Sequence, residues 1–277
     1  MRARPSSVRP GRNRGAAALR IAVWTASAGL VWAGGCQEPV RPEARKLLVD
    51  SKHAYERGDD ADVLRDTGRF LSEHHGSGEA DVAFYLRGLA KFRQKDLPGA
   101  KADLRQAASR TGRKDIRLGA TKALADLAFE EGDIDWAEGL YRQALEQADP
   151  RAKPTAEIRY RYGCVLQRKG RWAEADQQFD RVMHVFPGSD AAGRAAARAR
   201  CLAWTVQTGV FARQDSALAE ASRLREAKLP AATRPMTHEG ALRFHVQVGM
   251  YETHEAARAA LPSVRRLRKD ALVVPTR

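Results

Sequence analysis

The sequence of 277 residues lacks the motifs on which common enzyme classes depend. It contains no Gly-x-Ser-x-Gly nucleophile motif and no glycine-rich phosphate loop. The nearest approach to a helical zinc-protease motif, His254-Glu255-Ala256-Ala257-Arg258, has arginine where the second histidine is needed. The other histidines have no convergent set of cysteine or carboxylate partners, which favours surface histidines over metal ligands. The sequence therefore predicts no enzyme, no catalytic residue, no metal site and no cofactor.

Cysteine is also scarce, with three residues at positions 36, 164 and 201. Cys164 and Cys201 could pair in an oxidising compartment. Both fall in predicted helices at positions that the apolar pattern marks as buried, so packing as small apolar side chains is the favoured interpretation.

The net charge of +14 first suggests a nucleic-acid binder, but much of the surplus is local. Six arginines precede residue 36 with no acidic residue among them, and the rest of the chain has 42 basic and 34 acidic residues. That remaining surplus is ordinary for a solvated surface.

The N-terminal residues have the organisation of a secretory signal. The six arginines are followed by an apolar stretch from Ile21 to Trp32, too short for a stable membrane span, and then by small residues. Ala33-Gly34-Gly35-Cys36 resembles the lipobox of bacterial lipoproteins, which implies lipidation of Cys36 after cleavage. Gln37 is not the aspartate that often retains lipoproteins at the inner membrane, so the outer membrane is favoured. An ordinary signal peptide, or a membrane anchor with an incidental cysteine, is the alternative.

From Ala44 to about Pro187 the chain is predicted to form pairs of amphipathic helices with short Gly or Asp turns. Ala100, Ala137 and Ala175 mark three copies at 37–38-residue spacing, and a degenerate fourth copy precedes them. The clearest copy has Gly163 in its first helix and Phe179 in its second. These spacings resemble the tetratricopeptide repeat, in which small residues let two antiparallel helices approach. The mixed charge of the polar faces fits either a solvated surface or a peptide-binding groove.

The C-terminal part contains two similar segments, Val206-Gln207-Thr208-Gly209-Val210-Phe211 and Val246-Gln247-Val248-Gly249-Met250-Tyr251. Each leads into a charged helix, in an overall order of strand, helix, strand, strand, helix, strand. This order predicts a four-stranded antiparallel sheet with both helices on one face, the twin strands in the centre and the Pro235 strand at an edge. The fold class is therefore α+β: an N-terminal all-α helical repeat array followed by a small ferredoxin-like βαββαβ domain.

Strand alternation assigns side chains to the two faces of this sheet. Trp204, Val206, Thr208 and Val210 are predicted to face the helices, and a bulge after the glycines is predicted to return Phe211 and Tyr251 to the core. The predicted outward set is Thr205, Gln207, Gly209, Arg243, His245, Gln247 and Gly249.

Residues 203–275 resemble the SPOR domain, the sporulation-related repeat that binds peptidoglycan. The resemblance rests on both Val-Gln-x-Gly-x-aromatic strands, the helix after each, and the final Ala271-Leu272-Val273-Val274. It implies that the outward set binds glycan strands stripped of their stem peptides, as accumulate at the division septum, with the Gln207 amide contacting sugar hydroxyl and N-acetyl groups. Met250 stands where the family has a proline.

The predicted organisation is a lipoprotein signal peptide at 1–35, a linker at 36–43, repeats at 44–188, a connecting helix at 189–202 and a SPOR-like domain at 203–277. The main hypothesis is a lipid-anchored, periplasm-facing envelope protein whose repeats recruit an unknown protein partner and whose last domain binds peptidoglycan. One alternative is a periplasmic repeat scaffold whose last domain contacts protein. An RNA-binding sheet is disfavoured, because that module stacks bases on outward aromatics whereas polar side chains precede the glycines here; no nucleic-acid partner is expected.

Overall fold

Helices form the first part of the described chain, and a four-stranded sheet with two more helices forms the last. The computed structural model describes residues 40–238 and 240–277. The first part contains α1 (Pro42–Arg57), α2 (Asp60–His74), α3 (Ala80–Arg93), α4 (Leu97–Arg110), α5 (Lys114–Glu131), α6 (Ile134–Gln147), α7 (Lys153–Arg168), α8 (Trp172–Val185) and α9 (Asp190–Arg198). Consecutive helices pack against each other along the chain, which confirms the predicted helical repeat array. No helix in the described ranges combines the length and apolar character needed to cross a bilayer.

Helix ends in the array follow local chemistry. The side chains of Asp96 and Asp133 accept hydrogen bonds from backbone N–H groups of the first turns of α4 and α6, at 3.0 and 3.1 Å. Gly58 and Gly132 follow α1 and α5 with φ of 90° and 84°, a left-handed conformation that ends a helix at little cost in glycine.

Small residues permit the close helix pairs that the repeat pattern predicted. A Cβ atom added to Gly163 in α7 would lie 2.4 Å from Cε1 of Phe179 in α8, and one added to Gly88 would lie 2.8 Å from Cγ of Leu104. Phe179 and Leu104 are themselves fully buried. In these two helix pairs, a large side chain of one helix packs against a glycine of the other.

The connecting helix ends earlier than the alanine-rich run suggested. We expected a connecting helix over residues 189–202, but α9 ends at Arg198, and Arg200 has φ of 64°. The backbone N–H of Arg200 donates to Oδ1 of Asp176 in α8 at 2.9 Å, which fixes this turn against the array. Cys201 therefore lies after the helix rather than within it. Cys164 and Cys201 are both buried and unpaired, as predicted.

The C-terminal part has the predicted order of elements: β1 (Ala203–Phe211), α10 (Gln214–Glu226), β2 (Ala231–His238), β3 (Ala241–Tyr251), α11 (His254–Arg265) and β4 (Leu272–Thr276). The sheet order is β2-β3-β1-β4 with antiparallel pairs, so the twin strands are central and the Pro235 strand is at an edge. Apolar residues of α10 and α11 pack on Val206, Val246 and Val248, which places both helices on one face.

Trp204 joins the two parts, although alternation had assigned it to the core of the small domain. Its indole Nε1 donates to the carbonyl oxygen of Gln167 in α7 at 2.8 Å. Its ring centroid lies 5.8 Å from that of Trp172 in α8 and 4.8 Å from that of His254 in α11. The first residues of β1 are therefore packed against the last helix pair of the array.

Candidate functional site

The face of the sheet opposite α10 and α11, here called the open face, is defined by the strand register. Gln207 of β1 is directly opposite Gln247 of β3, and residues paired across antiparallel strands place their side chains on the same side. The same rule adds residues of the edge strands, since Gln207 also pairs with Leu272 and His245 with Arg234. The structure thus brings the two glutamines together, at the centre of the open face.

A bulge in β1 reverses the predicted orientation of two residues. Gln207 pairs with Gln247, but Gly209 already pairs with Val246, so two steps on β1 match one step on β3. The expected outward position of Gly209 is wrong: it lies on the core side, where an added Cβ would be 2.9 Å from Cε2 of Phe211. Val210, which we had assigned to the core, is on the open face and 48% exposed.

A second irregularity lies in β3, at Gly249. Trp204 pairs with Tyr251 and Val206 with Val248, so three steps on β3 match two on β1. Gly249 takes φ of 69° there, a conformation that disfavours any side chain. Phe211 and Tyr251 both pack against the core, as the predicted bulge required. Burial raises the pKa of the Tyr251 hydroxyl.

Thr205 lies at this second irregularity and is completely buried. Its hydroxyl lies 2.7 Å from the carbonyl oxygen of Gly249 and 3.2 Å from that of Val248, and it donates to this pair of acceptors. The predicted outward role of Thr205 is therefore wrong, because its only donor already serves the backbone of β3. Thr205 stabilises the backbone of β3 at this irregularity and is not available to contact a ligand.

The polar side chains of the open face hold each other in place. The Oε1 atom of Gln207 is 2.8 Å from Nδ1 of His245, and because an amide oxygen only accepts, this contact puts the histidine proton on Nδ1. The Oε1 atom of Gln247 accepts from the hydroxyl of Thr276 at 3.0 Å, and Gln247 is only 5% exposed. Both amide oxygens are thus engaged, which orients each NH₂ group as a fixed pair of donors.

Arg234 lies on the open face where β2 forms its edge. Its Nη1 atom donates to the carbonyl oxygen of Arg277 at 2.6 Å, and its Nη2 atom is 3.2 Å from Sδ of Met250. A shallow cavity of about 210 Å³ lies beside it, and Gln247 and Gly249 contribute to its lining. Arg243 pairs with Met236 further along the same strands.

Exposed apolar side chains surround the polar centre. The register places Val210, Met236 and Leu272 on the open face, and the contact with Arg234 places Met250 beside them. All four are exposed large apolar residues. Sequence reasoning missed this set. For Val210 a signal was available, because returning Phe211 to the core obliges the preceding residue to point outward.

Within the described ranges, no group of three or more His, Cys, Asp and Glu side chains is placed to hold a metal ion. The predicted signal peptide, Cys36 and residues 37–39 of the predicted linker lie outside the described residues.

Comparison with known proteins gives two family matches. Residues 17–200 match the tetratricopeptide repeat-like domain, and residues 203–275 match the SPOR domain. A SPOR domain implies an association with the peptidoglycan of the cell envelope, and repeats of this kind imply protein interaction. Both are typically non-catalytic binding domains. No curated protein matches the chain.

Several solved structures resemble the helical part. A tetratricopeptide repeat protein from Parabacteroides merdae is 19% identical over 56% of this chain and 57% of that protein, with a TM-score of 0.47. MamA is 21% identical over 51% of this chain and 77% of its own, with a TM-score of 0.43. YrrB, described as a TPR protein with an unusual peptide-binding site, is 20% identical over 56% and 76%, also with a TM-score of 0.43. The chain thus spans little more than half the length of the first of these proteins. From its family match over residues 17–200, the chain belongs to the tetratricopeptide repeat-like family, and it carries a C-terminal SPOR domain.

Proposed function

We propose that this protein is a non-catalytic component of the bacterial envelope that binds peptidoglycan glycan strands through the open face, while its helical repeats recruit a protein partner. The observation that carries the proposal is the side-by-side placement of Gln207 and Gln247 in the centre of that face. Their NH₂ groups can donate to sugar hydroxyl and N-acetyl oxygens. The exposed apolar side chains around them can cover the C–H faces of a sugar ring.

The charge of the open face supports strands without stem peptides as the ligand. Hydrolysis of the amide that joins a stem peptide to its sugar leaves a carboxylate on the sugar. Arg234 and Arg243 lie on the open face with His245, and the register places no Asp or Glu among the described residues there. A face with cationic and no anionic side chains can bind the carboxylate that the sugar then carries.

Sedimentation with purified sacculi tests this proposal. Sacculi treated with a muramoyl-alanine amidase should retain more protein than untreated sacculi. Loss of one amide donor in Gln207→Ala removes about 0.5–1.5 kcal/mol, which corresponds to roughly 2- to 12-fold weaker binding. Gln143→Ala, an exposed glutamine of α6, is the matched control and should bind like the wild type. Equal retention by treated and untreated sacculi would refute the preference for bare strands.

We also propose that Cys36 carries a lipid and that the protein concentrates at the septum, with the outer membrane as its site of anchoring. A tagged Cys36→Ser variant should leave the membrane fraction. A tagged chain without residues 203–277 should lose septal enrichment. If that truncated chain keeps its septal position, the repeats rather than the open face determine localisation, and the alternative of a protein-contacting scaffold is favoured.

A further inference from the structure

A cavity of about 500 Å³ lies at the junction between the repeat array and the SPOR domain. Such a volume is within the range of about 300–1,000 Å³ that ligand pockets occupy. Its charged lining consists of four arginines and a histidine with no Asp or Glu: Arg161, Arg168, Arg194, Arg198 and His254. Three aromatic residues complete much of the remaining wall: Phe129, Tyr160 and Trp204.

Two of the four arginines already have a carboxylate partner. Arg161 donates from Nε to Glu157 at 3.0 Å, and Arg194 also pairs with Glu157. Arg161 and Arg194 therefore share Glu157, and Arg194 also pairs with Asp190 at 3.1 Å. The Glu157 side chain is committed to these two residues and does not line the cavity.

The other two arginines have neutral partners. Arg168 donates from Nη1 to the carbonyl oxygen of Phe129 at 3.1 Å, and Arg198 donates from Nε to the amide oxygen of Gln167 at 2.8 Å. Within residues 40–238 and 240–277, neither guanidinium forms an ion pair with a carboxylate. Two partly buried guanidinium groups thus face the cavity without a counter-charge.

Burial and this excess of positive charge lower the pKa of Arg168 and of His254. The pKa of Arg168 is lowered by burial and further by Arg198 and by Arg258 of α11. The pKa of His254 falls to about 4, through burial first and then through Arg168, Arg258 and Arg198. Positive charges from α7, α9 and α11 therefore converge on one place, and a bound anion would relieve their mutual repulsion.

The edge of the sheet supplies a second recognition element at the same cavity. Strand β4 is the outermost strand on its side, and Val273, Val274 and Pro275 line the cavity. One side of β4 pairs with β1, and among the described residues no strand pairs with the other side. An extended peptide can add to such an edge through main-chain hydrogen bonds.

We propose that this cavity binds an extended acidic peptide segment, with carboxylates on Arg168 and Arg198 and its backbone along β4. An inorganic anion would use the arginines alone, whereas a peptide also uses the aromatic wall and the strand edge. This inference rests on the protein-partner part of the proposed function and is independent of glycan binding. It identifies the partner by its chemistry: an acidic segment that reaches the repeats and the SPOR domain together.

Fluorescence anisotropy with the full chain tests the proposal. The probe is a labelled peptide of alternating glutamate and valine, and its uncharged counterpart has glutamine in place of glutamate. The glutamate peptide should bind, and Arg168→Gln and Arg198→Gln should each weaken it at least tenfold. Arg142 is an exposed arginine of α6 that does not line this cavity and forms no salt bridge within the described residues. The control variant Arg142→Gln should therefore bind the glutamate peptide like the wild type. Equal binding of both peptides, or unchanged binding by both cavity variants, overturns the proposal.

Hydrogen exchange keeps the test informative if a cavity variant folds poorly. In the wild-type protein, saturating glutamate peptide should slow exchange at whichever of the consecutive backbone amides of Val273 and Val274 points away from β1, since neighbouring N–H groups of a strand point to opposite edges. No added protection there overturns the strand-edge placement.

Sacculi binding distinguishes this inference from the rest of the function. Arg168→Gln should bind amidase-treated sacculi like the wild type. If peptide binding fails while the wild-type chain and Arg168→Gln capture a partner equally, the cavity assignment alone is wrong. If neither captures a partner, the recruiting role of the repeats fails as well.

Discussion

Replacement of Trp204 should uncouple the SPOR domain from the repeat array. The side chain is 3% exposed and contacts Trp172, His254 and the guanidinium of Arg198. Removal of a buried tryptophan side chain typically costs about 3–5 kcal/mol. We therefore expect Trp204→Ala to lower the free energy of unfolding by this amount.

Trp204→Phe separates the hydrogen bond from the packing. It removes the 2.8 Å bond from the indole to the carbonyl oxygen of Gln167. That oxygen also accepts from the backbone N–H of Gly170 at 3.0 Å, so it does not become unsatisfied. The lost hydrogen bond should therefore cost about 0.5–1.5 kcal/mol, the net contribution of a typical hydrogen bond, rather than the larger penalty of an unpaired buried group.

Urea unfolding gives the free energies, and hydrogen exchange gives their location. In Trp204→Ala, protection should fall in β1, in α11 and at the end of α7. Trp136→Ala serves as the control, because Trp136 packs within the array against Lys101. Its replacement should destabilise the array without a direct effect on β1. An unfolding free energy of Trp204→Ala within about 0.5 kcal/mol of the wild type, the range of ordinary surface substitutions, would refute the assigned junction.

Two further predictions concern packing and pH. Gly163→Ala should destabilise the array by about 1–3 kcal/mol because its Cβ would clash with Phe179. Gly139→Ala should instead stabilise α6 by about 0.5–1 kcal/mol, because a Cβ at position 139 meets nothing within 4 Å. Melting temperatures of the two variants that shift in the same direction would contradict this account. His254 should make stability fall as pH drops from about 6.5 to about 4, because the unfolded chain binds a proton in this window and the folded chain, with the lowered pKa of His254, does not. The full difference corresponds to at most about 3 kcal/mol, and solvent screening of this half-buried side chain reduces the expected effect to about 1–2 kcal/mol. His254→Phe keeps an aromatic ring against Trp204 and should flatten this part of the curve of unfolding free energy against pH; an unchanged slope would exclude His254 as its source.

The sequence was sufficient to predict the fold, because its signals are local and repeated. Each of the two similar segments was predicted to lead into a helix, and α10 and α11 begin at Gln214 and His254, shortly after those segments. The central position of the twin strands followed from the order of elements and from Pro235. In these cases either a short stretch of chain determines its own secondary structure, or a general rule of connection determines which strands are neighbours in the sheet.

The details of the site depended on contacts that strict alternation does not contain. A single extra residue in β1 exchanges the positions of Gly209 and Val210, and the corresponding irregularity in β3 buries Thr205. Likewise, Trp204 has the spacing of a core residue of the small domain, but it also contacts α7 and α8 of the repeat array. Such long-range packing decides which polar side chains remain available to a ligand.

The central claim is that Gln207 and Gln247 together contact a glycan strand, and NMR titration tests it most directly. Soluble amidase-treated glycan oligosaccharide is added to the full chain while the side-chain amide signals of its glutamines are followed. The signals of Gln207 and Gln247 should shift together and saturate at one concentration, whereas that of Gln143 in α6 should stay constant. Saturable binding that leaves both open-face amides unshifted would contradict the assignment of this face.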